Sequence, residues 1–473
     1  MNSYKLVKPN GTEIVYSEKN QKIIKNAKEF YNIDNTYDSV SIIQGSSIHR
    51  ILFMSPVIEG LPQLIETKLP PVIKLPEACL LRNVGNSCYI NSCIQLMYAI
   101  PEIRHFFSTI TNEEIETLIP NQFDQGNSDY MMGYESCKPI DINKNKELLK
   151  ILKELFNTMD QVIADERNIY KHLLIDPKHE SSNPKLIDIP VTIINIYEKL
   201  FQVINTNVLP VYQLRIRSSE DAPQFFRAII KPFECFAILG SPIRNLLNTF
   251  ILQTMNRLTC NDDRTTDKYT RESLLKIDIN MKKDVNLSDY LINYLQEKNV
   301  SSDNRLINFC TGRNVDEYQL AKATGNMYID PQPNNIVKLE KSNLMLNEHF
   351  STLLIQLERV TIDMETFQPI KINKKIIPDK ILRVNNTQNV DGILIDTPVD
   401  FIRQGVVIHI GSGSGGHYIY GRFDKDGNNM DMLNDSKRAL FTDQYSVDKK
   451  TGNSLTYEDM MLTGGTIFYY KRI

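Results

Sequence analysis

A cysteine in the first quarter of this chain lies where a loop is expected to turn into a helix. The turn-forming Gly85 and two capping-type residues precede Cys88, and an apolar run with helical spacing follows it until Pro101. A cysteine in the first turn of a helix lies beside unpaired backbone N–H groups and the positive end of the helix dipole, which favour the thiolate. The pattern therefore predicts a nucleophilic sulfur. The alternative is a buried cysteine that packs as a small hydrophobe.

A distant histidine fits the role of a base for that sulfur. The tripeptide Gly416-His417-Tyr418 follows a glycine- and serine-rich loop over 411–416. Such a loop suits the rim of a narrow channel, and a surface linker is the alternative. His409 lies inside an apolar run and is expected to pack rather than to act as a base. A cysteine and a histidine far apart in sequence are the arrangement that thiolate catalysis uses, so the chain is predicted to be a cysteine hydrolase.

Further segments follow these two in a recognisable order. The landmarks are 81–107 around Cys88, Glu220–Phe226 before a predicted helix, the strand pair Leu353–Val360 and Lys371–Lys374, 401–418 around His417, Leu433–Ser436 and the closing strand Thr466–Arg472. Together they resemble the ubiquitin-specific proteases over residues 79 to 473. One departure is Gln224, which stands where that family usually has a glutamate.

The resemblance implies a fold and a division of the chain. It implies an α+β, papain-like cysteine protease fold of the ubiquitin-specific protease type, with a helical thumb lobe, a β-rich palm and a fingers subdomain over about 240–345. Residues 79–473 would be the catalytic domain, with the active site in the cleft between the lobes. Residues 1–78 would be an N-terminal extension that ends in a proline-containing connector. The function of this extension is not readable.

Carried over residue by residue, the resemblance implies a Cys-His-Asn triad. Cys88 would be the nucleophile, His417 the base and Asn434 the residue that orients the imidazole. Asp435 would contribute beside Asn434, and the side-chain amide of Asn83 would help to bind the oxyanion. An asparagine carbonyl can accept a hydrogen bond from the ring and fix its tautomer. The alternative is that the residues from Asn434 onward form only a turn.

The same resemblance implies a set of residues that contact the substrate. They are Asp221, Gln224, Gly416 and Tyr418. Asp221 matches a position that contacts the basic, extended tail of ubiquitin in the family. An acidic residue at the start of a helix is an equally good interpretation of Asp221, and both can hold.

The cysteine spacing departs from the resembled family. Many members bind a structural zinc through two Cys-x-x-Cys pairs in the fingers subdomain, whereas this interval contains only Cys260 and Cys310. One sulfur in each half does not complete a four-coordinate zinc site. We therefore expect no metal, no cofactor and a fingers subdomain held by apolar contacts. A strand over 273–279 and a helix over 285–295 are predicted within it.

Composition limits the possible partners and compartments. The formal charge of −3 provides no broad basic field for nucleic acid, and no apolar run reaches the length of a membrane span. The seven cysteines are scattered, which suits free thiols in a reducing compartment, cytoplasmic or nuclear. Periodicity further predicts helices over 147–163 and 193–203, with a loop over 177–190 between them.

These inferences together predict a deubiquitinase whose partners are ubiquitin and ubiquitin-conjugated proteins. Three alternatives remain open. The chain could be a noncatalytic ubiquitin-binding scaffold, which the Gln224 replacement and the missing cysteine pairs would allow. It could instead be a protease for a ubiquitin-like modifier, or a general papain-type endopeptidase. The presence of Cys88, His417 and Asn434 argues against the scaffold.

Overall fold

The structure, a computed structural model, divides into two compact units. One comprises Met1–Ala78 with Ile163–Asp188, and the other Cys79–Val162 with Ile189–Ile473. The second unit contains every candidate site residue. Beyond the N-terminal strands, the described residues are 78–83, 85–120, 142–164, 199–200, 221–238, 240–279, 285–296, 310–312, 315–329, 337–363, 365–390, 393–447 and 454–473.

The first unit contains a five-stranded antiparallel sheet. Its strand order is β2-β1-β3-β4-β5. The strands are β1 (Ser3–Val7), β2 (Glu13–Ser17), β3 (Ser39–Gln44), β4 (Ser47–Leu52) and β5 (Thr67–Lys68). The boundary between a domain of residues 1–78 and one of residues 79–473 remains a prediction.

The helices of the second unit cluster in its first half. Those in the described residues are α1 (Cys88–Ala99), α2 (Pro101–Thr109), α3 (Asn112–Thr117), α4 (Ile142–Ala164), α5 (Ala222–Glu234), α6 (Pro242–Asn248), α7 (Leu287–Leu295), α8 (Val315–Thr324) and α9 (Tyr457–Gly464). Helix α1 begins at Cys88 and ends before Pro101, as predicted, and a second helix, α2, begins at Pro101. The helix expected over 147–163 is confirmed as α4. The helix expected over 193–203 and the loop over 177–190 lie outside the described residues, apart from 199–200.

Strands make up most of the second half, which confirms the α+β class. They are β6 (Leu252–Cys260), β7 (Thr265–Glu272), β8 (Leu275–Asp278), β9 (Val285–Asn286), β10 (Val337–Met345), β11 (Thr352–Glu358), β12 (Val360–Ile362), β13 (Pro369–Lys371), β14 (Ile376–Ile377), β15 (Ile381–Val390), β16 (Ile393–Gly411), β17 (Gly416–Phe423), β18 (Asn429–Asn434), β19 (Lys437–Ala439), β20 (Gln444–Val447), β21 (Ser454–Thr456) and β22 (Gly465–Arg472). The strand expected over 273–279 is confirmed as β8, and the helix expected over 285–295 is preceded by the short β9.

An 11-stranded mixed sheet positions the candidate site. Its main path is β19-β18-β17-β16-β15-β10-β6-β7, and β16 also pairs with β22, which leads through β11 to β8. Helix α1 packs against β17. Nearly the whole length of α1 is buried, because small and apolar side chains cover all of its faces. This packing fixes the N-terminus of α1 beside the start of β17.

The far end of this sheet is cross-linked. Strands β6, β7 and β10 together with Cys310, here called the bridged subdomain, contain a disulfide between Cys260 and Cys310. The guanidinium of Arg264 donates to the Cys310 carbonyl at 2.9 Å, while Cys260 N donates to the Arg264 carbonyl at 2.8 Å. These bonds bring the two Cα atoms to 5.4 Å, within reach of a disulfide.

The disulfide corrects the expectation that the scattered cysteines remain free thiols. Cys260 and Cys310 are bonded to each other, and Cys235 is disulfide-bonded as well. Because 50 residues separate Cys260 from Cys310 in the sequence, their contact depends on the tertiary fold and leaves no local pattern. Among the described cysteines, Cys79, Cys88 and Cys93 are free thiols, and the reducing compartment stays a prediction. Within the described residues, no helix has the length and apolarity to cross a membrane.

Candidate active site

The loop before α1 is shaped by the side chain of Asn83. Its Oδ1 accepts hydrogen bonds from the backbone N–H groups of Gly85 and Ser87, each at 3.1 Å. Gly85 and Asn86 both have positive φ, at 106° and 54°, which turns the chain sharply into the helix. The result places Cys88 at the first position of α1. Cys88 is buried rather than partly exposed, but it lines a cavity that opens beside it.

His417 joins Cys88 to Asn434. The ring Nε2 lies 2.6 Å from Asn434 Oδ1, and the imidazole is also hydrogen-bonded to Cys88. The Asn434 amide is itself held, because its Nδ2 donates to the hydroxyl of Tyr457 at 3.2 Å. Strand β17 carries the histidine at its second residue and strand β18 ends at the asparagine, so neighbouring strands set their separation. The structure thus brings these three predicted residues into contact.

The contacts of His417 change its protonation. Burial alone would lower the pKa of His417, but the hydrogen bonds with Cys88 and Asn434 and the charges of Asp435 and Cys88 raise this pKa to about 9. The ring is therefore protonated at neutral pH. An imidazolium beside a sulfur is suited to pair with a thiolate.

Asp435 connects the cysteine segment to the histidine strands. Its Oδ2 accepts from Asn83 Nδ2 at 3.1 Å, and its Oδ1 accepts from Asn91 Nδ2 at 2.7 Å. The backbone carbonyl of Asp435 accepts from Leu81 N at 3.2 Å. Asp435 Oδ2 also lies 3.9 Å from His417 Nε2. We call this group of side chains the catalytic seam: Asn83, Cys88, Asn91, His417, Asn434 and Asp435.

The catalytic seam includes one residue that sequence reasoning missed. Asn91 lies one helical turn after Cys88, and its Nδ2 also donates to the Leu81 carbonyl at 3.1 Å. A buried amide on a helix facing a distant carboxylate leaves no local pattern. Its only sequence signal is a polar residue inside an otherwise apolar helix face.

The predicted substrate residues meet at one cavity of about 310 Å³. All four predicted substrate residues line it together with Cys88. The lining does not include Asn83, His417, Asn434 or Asp435. The complete lining is Cys88, Tyr89, Asp221, Gln224, Gln356, Leu357, Glu358, Arg359, Val360, His409, Gly413, Ser414, Gly415, Gly416, Tyr418 and Thr466.

Asp221 is both the N-cap of α5 and a partner of Tyr418. Its Oδ2 accepts from Gln224 N at 3.2 Å, and its Oδ1 accepts from the Tyr418 hydroxyl at 2.9 Å. Burial raises the pKa of Asp221, although both hydrogen bonds oppose that shift. The alternative interpretation of Asp221 as a helix N-terminal acid is therefore confirmed, and the carboxylate still faces the cavity.

His409 and Gly416 line the same cavity and are linked to Asp221 through Tyr418. The His409 ring stacks on Tyr418 with centroids 4.6 Å apart, and burial lowers the pKa of His409 to about 4. His409 therefore packs as a neutral ring, as expected. A Cβ at Gly416 would lie 2.4 Å from His409 Nε2 and 2.3 Å from the Ile410 carbonyl oxygen, so only glycine fits there.

The described residues contain no group of three or more His, Cys, Asp or Glu side chains that could hold a metal ion. The absence of zinc from the fingers subdomain remains a prediction.

The fold and the site together define a class of protein. A cysteine at the start of a helix, hydrogen-bonded to a protonated imidazole on a facing sheet, is typical of a papain-like cysteine hydrolase. The profile described as ubiquitin carboxyl-terminal hydrolase matches residues 79–457. The chain belongs to the ubiquitin carboxyl-terminal hydrolase family, which makes it a cysteine-type ubiquitin hydrolase and confirms the resemblance seen in the sequence.

Solved structures share the fold. One is the SAGA Ubp8/Sgf11/Sus1/Sgf73 DUB module bound to ubiquitin aldehyde, at 14% identity and a TM-score of 0.51, with 99% of this chain and 87% of that chain covered. Another is the same module bound to monoubiquitin, at 14% identity and a TM-score of 0.50, with 100% and 87% covered. The predicted fold class is thereby confirmed. No curated protein matches the sequence.

Proposed function

We propose that this chain hydrolyses the peptide or isopeptide bond that follows the C-terminal glycine of ubiquitin, through a thioester on Cys88. The observation that carries the proposal is the His417 ring, which is hydrogen-bonded to both Cys88 and Asn434. Ubiquitin as the partner, free or conjugated, is supported by the family and by two similar structures that contain bound ubiquitin or ubiquitin aldehyde. Residues 79–473 would form the catalytic domain.

The proposed reaction begins with attack of the Cys88 thiolate on the carbonyl carbon. The oxyanion forms near the N-terminus of α1, where backbone N–H groups and the Asn83 amide can donate to it. His417 then gives its proton to the leaving amine as the C–N bond breaks, which leaves a thioester. A water that gives its proton to His417 attacks the thioester and releases the sulfur.

The arrangement around His417 and Asn83 supports these roles. Because the pKa of His417 is raised to about 9, its ring carries a proton that it can give to the leaving amine. Asn434 and Asp435 face the ring on β18 and in the turn after it, and would keep its orientation. An amide nitrogen carries two N–H groups, so Asn83 Nδ2 can serve both Asp435 and an oxyanion.

The cavity supports a substrate with glycines at its end. Gly416, Tyr418 and the stacked His409 form a wall without space for an added Cβ at Gly416. A narrow channel beside Cys88 would select a chain without side chains next to the scissile bond. Asp221 and Gln224 would then contact the residues that precede those glycines.

The proposal is tested by Cys88→Ala in a hydrolysis assay with ubiquitin linked to a C-terminal fluorophore. Turnover should fall by at least about 10⁴-fold, because the nucleophile is lost, while ubiquitin binding persists. Cys93→Ala is the matched control, since it removes another buried free thiol from α1 and should retain activity. A Cys88→Ala variant that still cleaves the substrate would contradict the assignment, and a wild type that binds ubiquitin without cleaving it would support the noncatalytic scaffold.

A further inference from the structure

The cavity beside Cys88 has an uneven distribution of charge. Its lining contains two carboxylates, Asp221 and Glu358, and one guanidinium, Arg359. Gln224 is uncharged, and His409 is neutral at pH 7 because its pKa is lowered to about 4. The sign of the net charge that faces the cavity therefore depends on whether the Arg359 guanidinium points into it.

Arg359 is turned into the protein. It is 2% exposed, and its guanidinium donates to backbone carbonyls rather than across the cavity. The acceptors are Gly465 at 2.8 Å, Lys374 at 2.6 Å, Ile372 at 3.2 Å and Leu462 at 3.2 Å. Among the lining residues, the charges that are not directed to backbone carbonyls in this way are the two carboxylates, which favour a cationic ligand.

The two carboxylates differ in how accessible they are. Both oxygens of Asp221 accept hydrogen bonds from within the protein, from Tyr418 and from Gln224 N. Glu358 ends β11 with about a third of its side chain exposed, and it forms an ion pair with Lys276 at 2.5 Å. Lys276 is itself half exposed. Exposed ion pairs of this kind contribute little, so another cation can replace the lysine at low cost.

We propose that Glu358 is a specificity-determining residue that binds a basic side chain of the incoming substrate tail, exchanging Lys276 for it. This inference rests on the proposed function, in which the basic tail of ubiquitin enters the cavity. Glu358 would provide the accessible negative charge on this wall, where Gln224 provides none. Asp221, which is held by Tyr418, would shape the opposite side of the entrance.

The test compares Glu358→Gln with Lys276→Gln in steady-state hydrolysis of the ubiquitin–fluorophore substrate. Glu358→Gln should raise KM by about three- to tenfold and change kcat by less than about twofold, the size expected for one exposed charge contact. Lys276→Gln removes the competitor and should leave KM at or below the wild-type value. Glu348→Gln, at a highly exposed carboxylate outside the cavity lining, is the control and should match the wild type.

The pair of variants separates recognition from a structural role. If the Lys276–Glu358 ion pair only held β8 to β11, both variants would raise KM equally, and that result would overturn the proposal. An unchanged KM in Glu358→Gln would overturn it as well. With a ubiquitin whose basic tail residues are replaced by glutamine, the difference between wild type and Glu358→Gln should disappear. A wild type that cleaves no ubiquitin substrate would instead refute the proposed function itself.

Discussion

The catalytic seam and the bridged subdomain are held together in different ways. In the catalytic seam, segments far apart in sequence meet through single side-chain hydrogen bonds, with one backbone bond from Leu81 N to the Asp435 carbonyl. In the bridged subdomain, β6 pairs along its length with both β7 and β10, and a disulfide closes the end. The comparison indicates that damage to the catalytic seam should reduce activity more than stability, and damage to the bridged subdomain the reverse.

The largest expected effect on stability is in the bridged subdomain. The double variant Cys260→Ala/Cys310→Ala should lower the free energy of unfolding by about 2–4 kcal/mol, because the unfolded chain regains the freedom of a long loop. Urea unfolding measures this change, and kcat/KM at 25 °C should stay within about twofold of the wild type. Cys79→Ala, which removes a buried thiol that forms no disulfide, should cost about 1 kcal/mol.

Equal costs for these two variants would show that the disulfide adds nothing to the strand pairing.

The same preparation tests the prediction that the fingers subdomain binds no metal. Elemental analysis should find no stoichiometric zinc in the purified wild type, since both cysteine sulfurs of that interval are in the disulfide. One equivalent of zinc would contradict that prediction.

The corresponding test of the catalytic seam is Asp435→Ala. Loss of the carboxylate removes the acceptor that Asn83 and Asn91 share, so Cys88 and His417 should lose their alignment. We expect kcat/KM to fall by about 100-fold, the size of effect that a displacement of about 1 Å produces, with a shift in Tm of less than about 4 °C. Asp426→Ala, in the exposed turn between β17 and β18, is the control. A large loss of stability with normal activity in Asp435→Ala would show that the catalytic seam supports stability rather than activity.

A smaller effect is expected on the titration of His417. Burial lowers the pKa of His417, and Cys88→Ala removes a hydrogen bond and a charge that raise it. The pKa of His417 should therefore fall from about 9 by at least about one unit. Histidine NMR across pH measures it. In the wild type, a folded-state pKa above the ordinary value of 6.5 contributes stability that is present below pH 6.5 and lost as pH rises through about 9. Cys88→Ala should make stability depend less on pH in this range. An unchanged pKa of His417 in the variant would show that Cys88 does not affect the titration of His417.

The smallest effect is expected for Tyr418→Phe. The variant keeps the ring that stacks on His409 but removes the hydroxyl that donates to Asp221. The loss of one hydrogen bond should raise KM by about threefold, with little change in kcat. Tyr445→Phe, which retains its ring contact with Tyr457 outside the cavity, should behave as the wild type. A fall in kcat instead of a rise in KM would place Tyr418 in the chemistry rather than in binding.

The sequence predicted the elements of the site better than the contacts between them. The start of α1 at Cys88 followed from local turn and capping residues, and the strands around His417 followed from apolar runs bounded by glycine. The resemblance supplied Asn434 and Asp435 as neighbours of the histidine. Their meeting with Asn83 depends on residues more than 300 positions apart, which periodicity alone does not relate.

The remaining features depend on long-range packing. Asn91 faces Asp435 only because α1 packs against β17, and Cys260 meets Cys310 only because Arg264 joins the end of β6 to that segment. The bond between Tyr418 and Asp221 likewise joins β17 to α5. Each involves a polar or sulfur side chain whose partner is chosen by the tertiary fold rather than by its sequence neighbours.

Whether Cys88 is the nucleophile is tested by incubating the wild-type protein with ubiquitin bearing an electrophilic C-terminus, followed by peptide mass spectrometry. We expect one covalent adduct per chain, mapped to Cys88, because His417 and Asn434 activate that sulfur alone. Among the described residues, the other free thiols are Cys79 and Cys93, which are buried outside the cavity lining and should stay unmodified. No adduct, or an adduct on another cysteine with Cys88 unmodified, would contradict it.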